Sequence, residues 1–507
     1  MRMLLHKCPA WPAPMAVLAV ALCLVTSGRV LSAANVQPAA GGRVFKAGAV
    51  ASNITPALGM PRVGGWEAYP AAHIHDELHA RCLVLDDGTT RLAFVVVDNV
   101  GVPREVFDEA KRLIHEATGL PVAHLMMSAT HTHRGVSARG ADPLKMGAPF
   151  DEYQRFLVQR IADGVRRAIN NLEPARIGWG SGQVPQHVFN RRWKLKEGET
   201  VMNPFGEYDR AVNHAGGEMR NKVLEPAGPT NPEVYFLSVQ ALNGRPIALL
   251  ANYWLHYVGP GGVPQDHLSS DYFGAFCDRI QELLGADRQD PPFVGILANG
   301  PCGDVTNGNQ AADAPPQPKY GPYGKIRKVA DDVAQEVMRV HRTVVHREWV
   351  PLRGAAAELV LKMRQPTPAM VARAKEVLAR PANASPIHIR EVTYAERTLA
   401  AQKWPATVSV PLQTFRLGDL GIAAMPFEVF AETGLEIKAK SPFKDTFSIE
   451  LANGSYGYLP TPEQHALGSY ETWIGTSRVE IDASRLIVAK IMELFGQVNE
   501  AQSSGSK

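Results

Sequence analysis

His124-Leu125-Met126-Met127-Ser128-Ala129-Thr130-His131-Thr132-His133 joins an apolar, strand-like run to two imidazoles that are separated by a single residue. Because side chains two apart on a strand point to the same face, we expect His131 and His133 to face one site. Neutral imidazole is a common transition-metal ligand, so the pair predicts a metal site or a ligand beside a proton-transfer residue. The alternative is a polar strand end with two solvated histidines.

The composition is that of a globular protein. With 507 residues, of which 45% are hydrophobic and 20% charged, the chain is long enough for one large core or two smaller ones. The net charge is only +3, from 53 basic and 50 acidic residues, and no long basic run is interleaved with aromatic residues. We therefore expect no nucleic-acid partner.

The beginning of the chain has the pattern of a secretory signal. Basic residues precede an apolar stretch at 15–25, and small residues follow around Ala33. The stretch is shorter than the ~20 apolar residues that span a bilayer. We expect a signal peptide at 1–33 and a mature protein that is secreted or periplasmic and soluble, with at most peripheral membrane contact. An uncleaved membrane anchor is the alternative.

The cysteines do not form a disulfide scaffold. Once the signal is removed, Cys82, Cys277 and Cys302 remain, which allows at most one disulfide and leaves an odd thiol. With no His or other base beside it in sequence, Cys302 is predicted to be a buried structural thiol; the alternative is a nucleophile.

Short strands and helices alternate along the chain, and no internal repeat is present. The hydrophobic patterns predict strands at 92–98, 234–239, 247–253 and 293–298, helices at 104–117, 156–171, 272–284, 326–342 and 369–380, and a hairpin at 408–415 and 421–425. The strand at 247–253 leads to His256. This mixture predicts an α/β fold with mixed sheets and flanking helices.

The segment Ser128-Ala129-Thr130-His131-Thr132-His133 resembles the Gly-Thr-His-Thr-His signature of the neutral ceramidases, secreted zinc amidases that split N-acylsphingosine into a fatty acid and a sphingoid base. Other segments that resemble the family lie before and after this one, in the family's order, at 54–56, 74–76, 190–191, His256, 303–305, 426–428, 453–458 and Tyr470. The resemblance implies a single large catalytic domain at 34–490 and a flexible tail at 491–507. The chain is too short after Tyr470 for the family's C-terminal immunoglobulin-like domain.

The resemblance also implies one zinc ion per chain, held by His131, His256, Glu428 and Tyr458. Two imidazoles, a carboxylate and a phenolate are ligands that suit Zn²⁺ and leave room for a water. Apart from the resemblance, Glu428 is more typical of a surface carboxylate and Tyr458 of an aromatic packing residue.

The implied mechanism is hydrolysis of an amide by zinc-activated water. In it His133 passes a proton to the leaving amine, while Arg191 and Tyr470 donate hydrogen bonds to the developing oxyanion. The alternative for Arg191 is a surface guanidinium in the basic run at 191–194.

The chain departs from the family pattern in one loop. Thr306 stands where the family has Ser, and Asn307 where it has Pro. Threonine retains a hydroxyl but adds a methyl group that restricts χ1, so its role as nucleophile, positioning group or neither stays open.

Three functions are therefore compatible with the sequence. The first is a zinc amidohydrolase acting on ceramide or a related N-acyl lipid. The second is a zinc amidase for another acylated small molecule, and the third is a non-catalytic exported binding protein on the same scaffold.

Overall fold

The computed structural model describes residues 42–139, 149–259, 263–311, 313–316, 318–381 and 383–500. The predicted signal peptide at 1–33 lies outside these ranges.

Strands supply the framework of the described chain. In order they are β1 (Lys46–Asn53), β2 (Pro61–Arg62), β3 (Tyr69–Pro70), β4 (His73–Ile74), β5 (His79–Asp86), β6 (Arg91–Val97), β7 (Leu125–Ala129), β8 (Glu173–Gln183), β9 (Phe189–Asn190), β10 (Arg192–Leu195), β11 (Val201–Met202), β12 (Tyr208–Asp209), β13 (Ala211–Asn213), β14 (Val223–Pro226), β15 (Glu233–Ala241), β16 (Pro246–Tyr253), β17 (His267–Leu268), β18 (Val294–Asn299), β19 (Val305–Thr306), β20 (Leu352–Lys362), β21 (Thr407–Leu417), β22 (Leu420–Ala424), β23 (Glu428–Val429), β24 (Asp445–Ile449) and β25 (Tyr458–Leu459).

The helices are mostly longer than the strands. They are α1 (Arg104–Thr118), α2 (Glu152–Asn170), α3 (Asp271–Leu283), α4 (Gly324–His341), α5 (Pro368–Ala379), α6 (Glu391–Ala401), α7 (Ala431–Lys440), α8 (Pro462–Leu467) and α9 (Ala483–Glu500). None of these helices is both long and apolar enough to cross a membrane.

An eight-stranded mixed sheet forms the centre of the fold, in the order β18-β16-β15-β8-β1-β5-β6-β7. The pairs β16–β18 and β6–β7 are parallel, whereas the pairs between them are antiparallel. Strands such as β6 are buried over nearly their whole length, which is why they read as continuous apolar runs in the sequence.

A second sheet, in the order β20-β21-β22-β24, packs against the first. The predicted hairpin is confirmed, since β21 and β22 are antiparallel and Leu417 pairs with Leu420 across a two-residue turn. Gly418 in that turn has a φ of +63°, which glycine adopts without strain.

The two sheets and their helices form four layers. Apolar residues from both sheets, including Phe94 and Phe415, fill the space between them. Helices α1 to α4 cover the outer face of the large sheet, and α7 and α9 cover that of the small sheet. The predicted α/β fold with mixed sheets and flanking helices is confirmed.

The large sheet is strongly curved. Although β18 and β7 are at opposite edges of the hydrogen-bonding order, they contact each other in space. The curvature brings the carboxyl ends of β7 and β16 together, and these ends lead to His131 and His256.

The end of the chain differs from the prediction of a flexible tail at 491–507. Helix α9 continues to Glu500, and Ile491, Leu494, Phe495 and Val498 are buried against the small sheet. The spacing of these four residues is that of an apolar helix face, so the tail prediction is wrong for 491–500. Residues 501–507 lie outside the described ranges.

Candidate metal centre

Three imidazoles converge where β7 and β16 end. The Nε2 atom of His131 lies 2.9 Å from Nε2 of His256 and 3.1 Å from Nε2 of His133. The three residues form a group within which one ring nitrogen from each lies within 4.8 Å of the others. The structure therefore brings both histidines of the opening motif to one site, and it adds His256 from a distant strand.

Two of the three rings are oriented so that Nε2 is a free acceptor. Nδ1 of His131 lies 2.6 Å from the Val100 carbonyl oxygen, and Nδ1 of His256 lies 3.2 Å from that of Cys302. Since a carbonyl only accepts, each Nδ1 must carry the proton, which leaves a lone pair on each Nε2. The two Nε2 lone pairs, 2.9 Å apart, repel each other unless both bind a cation. This geometry fits a metal ion.

Burial favours the neutral form of these rings. Desolvation lowers the pKa of His131, and it lowers the pKa values of His133 and His256 well below the ordinary value. Neutral imidazole is the form that binds a metal ion.

Glu428 and Tyr458 are adjacent because β23 and β25 pair in parallel with Glu428 opposite Tyr458. Glu428 Oε2 lies 3.4 Å from His131 Nε2 and 3.9 Å from His256 Nε2. In the described part of the chain this buried oxygen has no hydrogen-bond partner. A buried carboxylate oxygen that faces two imidazole lone pairs is further support for a cation at this position.

The Tyr458 hydroxyl completes the donor set implied by the sequence. It accepts a hydrogen bond of 2.9 Å from Arg191 Nη2. Burial raises the pKa of Tyr458 well above its ordinary value, although the Arg191 charge acts in the opposite direction. Ionisation of this phenol therefore requires a strong positive charge nearby, such as a bound metal ion.

His131 sits in unusual backbone geometry. Its φ is +70°, in the left-handed region that residues with a Cβ rarely adopt. The His131 N–H donates to the Asn99 carbonyl at 2.9 Å, and His131 Nδ1 is held by Val100. Backbone strain that surrounding contacts maintain in this way is typical of functional sites.

His133 is held differently from the other two rings. It stacks on Tyr257 with a centroid separation of 3.7 Å, and the backbone of Gly64 lies against it. Among the described residues, the buried Nδ1 of His133 has no partner in good hydrogen-bond geometry. Burial lowers the pKa of His133, and the nearby Gly64 backbone offsets part of that effect. The Nε2 atom of His133 thus lies close to that of His131, but its Nδ1 is not held by a well-aligned carbonyl as those of His131 and His256 are.

Arg191 is a buried site residue, and the alternative of a surface guanidinium is wrong. Its Nε donates to Glu471 Oε1 at 2.9 Å, while the other oxygen of Glu471 accepts from Arg192 Nη1 at 2.6 Å. Glu471 is fully buried, so one carboxylate fixes two neighbouring guanidinium groups. This pairing holds Arg191 so that its Nη2 donates to the Tyr458 hydroxyl.

Tyr470 lies on the same side of the site as Arg191. Its ring makes edge contacts with Tyr458 and Trp66, at centroid separations of 5.7 and 5.9 Å. Burial raises the pKa of Tyr470, so the phenol keeps its proton and can donate a hydrogen bond.

Thr306 lines a cavity of about 380 Å³ that also contacts His256 and Arg191. Thr306 is placed there by β19, which pairs with β9 so that Thr306 is opposite Phe189. Next to this pair, Asn190 Nδ2 donates to Asp304 Oδ2 at 2.7 Å. The two family-like loops at 190–191 and 303–305 therefore meet beside the imidazoles.

Cys302 is a buried free thiol, as predicted, and Cys82 and Cys277 are likewise free and buried. The Cys302 sulfur lies 3.0 Å from Glu450 Oε1 and 3.8 Å from His256 Nδ1. Burial raises the pKa of the Cys302 thiol well above its ordinary value, which opposes a role as nucleophile.

Two residues that support the site, Glu471 and Tyr257, were not predicted from the sequence. Glu471 bridges Arg191 and Arg192 across about 280 residues of chain, and Tyr257 supports His133 only because the sheet curves. Each has one weak clue in the sequence, since Glu471 directly follows Tyr470 and Tyr257 directly follows His256.

Comparison with models of protein families finds no match to this chain. Among solved structures, a neutral ceramidase from Pseudomonas aeruginosa aligns with a TM-score of 0.65 and 17% identity, over 90% of this chain and 75% of that one. A ceramidase complexed with C2 aligns with the same TM-score at 16% identity, over 90% of this chain and 76% of that one. The chain therefore has the neutral ceramidase-like fold that its motifs predict.

Proposed function

We propose that this protein is a zinc-dependent amidohydrolase that cleaves the amide of ceramide or a related N-acyl lipid. The observation that carries the proposal is the pair of imidazole lone pairs of His131 and His256, which face each other at 2.9 Å beside the unpartnered Glu428 oxygen. The likeness of the fold to ceramidases supports the same reaction class.

In this proposal His131, His256, Glu428 and Tyr458 hold one zinc ion per chain. When bound, such an ion supplies Lewis acidity, polarising a carbonyl and making water acidic enough to lose a proton near neutral pH.

The surrounding residues would orient the substrate and move the proton. The Arg191 guanidinium, fixed by Glu471, and the protonated phenol of Tyr470 would donate to the amide oxygen as it gains negative charge. His133, neutral because it is buried, would accept a proton at Nε2 from the attacking water and pass it to the leaving amine nitrogen. Thr306 would position the substrate from the wall of the adjoining cavity.

The substrate class has a second candidate, an N-acyl small molecule other than ceramide. The cavity beside His256 favours it, because most of its lining side chains are polar or charged. The non-catalytic alternative is less well supported, since a binding protein has no need of oxyanion donors next to a metal site.

We also propose that residues 34–490 with the remainder of α9 act as one catalytic domain, and that the protein is exported through its 1–33 segment. At most peripheral contact with a membrane would then be needed to reach an N-acyl lipid.

The test is a hydrolysis assay with purified, zinc-loaded protein on a panel of ceramides, N-acylethanolamines and N-acyl amino acids. We expect release of fatty acid from at least one class, with loss of turnover after chelation and recovery with Zn²⁺. Zinc-loaded, folded protein that cleaves none of these amides would overturn the proposed function.

A further inference from the structure

The cavity beside the metal centre contains a lysine that faces it without a counter-charge. Lys325, at the start of α4, lines the cavity with His256 and Arg191. In the described part of the chain no carboxylate lies within 4 Å of its ammonium group, and no Asp or Glu lines the cavity.

Asn307 holds this ammonium in place. Lys325 Nζ donates to the Asn307 backbone oxygen at 3.0 Å and also to Asn307 Oδ1. The orientation of the Asn307 amide is fixed, because its Nδ2 donates to the carbonyls of Tyr257 and Val258 at 2.8 and 3.0 Å. A proline, which the resembling family has at this position, has no side-chain acceptor. The loop departure therefore adds the side-chain acceptor to the backbone oxygen that either residue provides.

The ammonium keeps both its charge and a free donor. Both of its partners are neutral oxygens on one residue, and an ammonium has three N–H groups. Burial lowers the pKa of Lys325, because a charge without a counter-ion is unfavourable in a partly buried position. An anion bound in the cavity would offset that cost.

The rest of the cavity wall is mixed, since Val258 and Val305 are apolar whereas most of the other lining side chains are polar or charged. Its polar lining side chains are Arg191, His214, His256, Thr306, Asn307 and Lys325. A volume of about 380 Å³ is enough for a small polar head group. The polar end of an N-acyl lipid is its amine part, so this cavity suits the amine side of the amide.

We propose that the cavity binds an anionic oxygen group, a carboxylate or sulfonate, on the amine part of the N-acyl substrate, with Lys325 as its main contact. This inference rests on the proposed amidohydrolase function and narrows its substrate class to N-acyl amino acids or N-acyl aminosulfonates.

The test compares substrates that differ in one group. N-Lauroylglycine and N-lauroylethanolamine share the acyl chain and the amide and differ in a carboxylate against a hydroxymethyl group, and N-lauroyltaurine supplies a sulfonate. We expect kcat/KM for the glycine or taurine amide to exceed that for the ethanolamide by about ten- to hundredfold. If the enzyme prefers only the glycine amide, the cavity is specific for a carboxylate. If it uses the taurine amide equally well, the cavity accepts either a carboxylate or a sulfonate.

Variants of the cavity residues show which side chain causes the preference for an anionic substrate. In Lys325→Met the ratio of the two kcat/KM values should fall toward one, and Lys325→Arg should keep most of it. Asn307→Ala, which frees the lysine without removing it, should give an intermediate ratio. Lys328→Gln removes an exposed charge from the same helix and should leave the ratio unchanged. Zinc content and thermal unfolding establish that each variant is folded.

Two results would overturn the inference, and they are distinguishable. A wild-type enzyme that hydrolyses amides but prefers the ethanolamide, or a Lys325→Met variant with an unchanged ratio, rejects the anion site and leaves the proposed function standing. Zinc-loaded protein that cleaves ceramide but none of the three amides also rejects the anion site alone, whereas zinc-loaded protein that cleaves neither ceramide nor these amides rejects both.

Discussion

The three histidines of the metal centre differ in what holds their rings. Carbonyl groups bind Nδ1 of His131 and His256, whereas His133 is supported by the stacked ring of Tyr257. A ligand needs a fixed direction, and a group that moves protons needs a ring nitrogen whose protonation changes. This contrast separates the roles proposed for the residues, although all three Nε2 atoms are close together.

Replacing His133 tests that separation. We expect His133→Ala to keep its zinc and to lower kcat by about 10² to 10⁴, the usual contribution of a general acid or base. Metal content by mass spectrometry and steady-state kinetics measure the two effects. The exposed His115→Ala is the control and should behave like the wild type. Zinc loss in His133→Ala would make His133 a ligand.

Thr306 can be tested in the same way. If activated water attacks the amide, Thr306→Ser should be tolerated and Thr306→Ala should retain a substantial part of kcat. The reason is that a β-branched hydroxyl without an adjacent base is a poor nucleophile. Mass spectrometry of the wild type during turnover should then show no acyl-enzyme. An acyl adduct on Thr306, or an inactive but zinc-loaded Thr306→Ala, would reverse the assignment.

At the scale of elements, the pairing of β23 with β25 places Glu428 beside Tyr458, and Gly457 makes the approach possible. Gly457 has a φ of +88°, and a Cβ at this position would lie 2.4 Å from the Thr476 carbonyl oxygen. Gly59 has a similar φ of +90° with nothing within 4 Å. The two glycines therefore share the backbone conformation but not the close contact.

We expect Gly457→Ala to lower the free energy of unfolding by about 1–3 kcal/mol more than Gly59→Ala does. It should also weaken zinc binding, since Tyr458 is displaced with its strand. Chemical denaturation and zinc titration measure these quantities. Equal effects of the two substitutions would show that the close contact at Gly457 is relieved without moving the site.

The loop that carries Asp304 predicts a pH dependence of stability. Asp304 is fully buried between the Ala431 N–H and Asn190, and burial raises its pKa from 3.8 to about 6. With the folded-state pKa above the unfolded one, the folded state binds more protons between these values, so stability falls as the pH rises through that window. The difference corresponds to about 3 kcal/mol.

Relative to Asp304→Asn, the wild type should therefore lose about this free energy of unfolding between pH 3.8 and pH 6. Urea unfolding of both proteins across the range measures the difference. Parallel pH profiles would contradict the raised pKa of Asp304.

Individual elements were predictable because their cause is local. The helix predicted at 104–117 is α1, and the apolar run at 92–98 is β6, since periodicity and burial agree in both. The tail prediction was wrong because the domain boundary was placed at 490, by the family resemblance, whereas α9 continues to Glu500. The apolar spacing of Ile491, Leu494 and Phe495 already indicates a buried helix face.

At the scale of the whole molecule, the site depends on curvature that no local pattern contains. His131 and His256 follow strands far apart in the sheet order and meet because β18 returns to β7. The resemblance placed these residues in one site, but the supports of the site, Glu471 and Tyr257, come from long-range contacts. Lys325 had no sequence signal, since its importance arises from the cavity and from Asn307.

The central claim is that these distant strands build a zinc site. The most direct measurement is the zinc content per chain of the purified wild type and of His131→Ala, with thermal unfolding to establish that both are folded. We predict about one tightly bound zinc in the wild type and its loss in His131→Ala, because the variant removes a ligand ring that the Val100 carbonyl orients. Full zinc occupancy in a folded His131→Ala, or no zinc in a wild type supplied with it, would contradict the account.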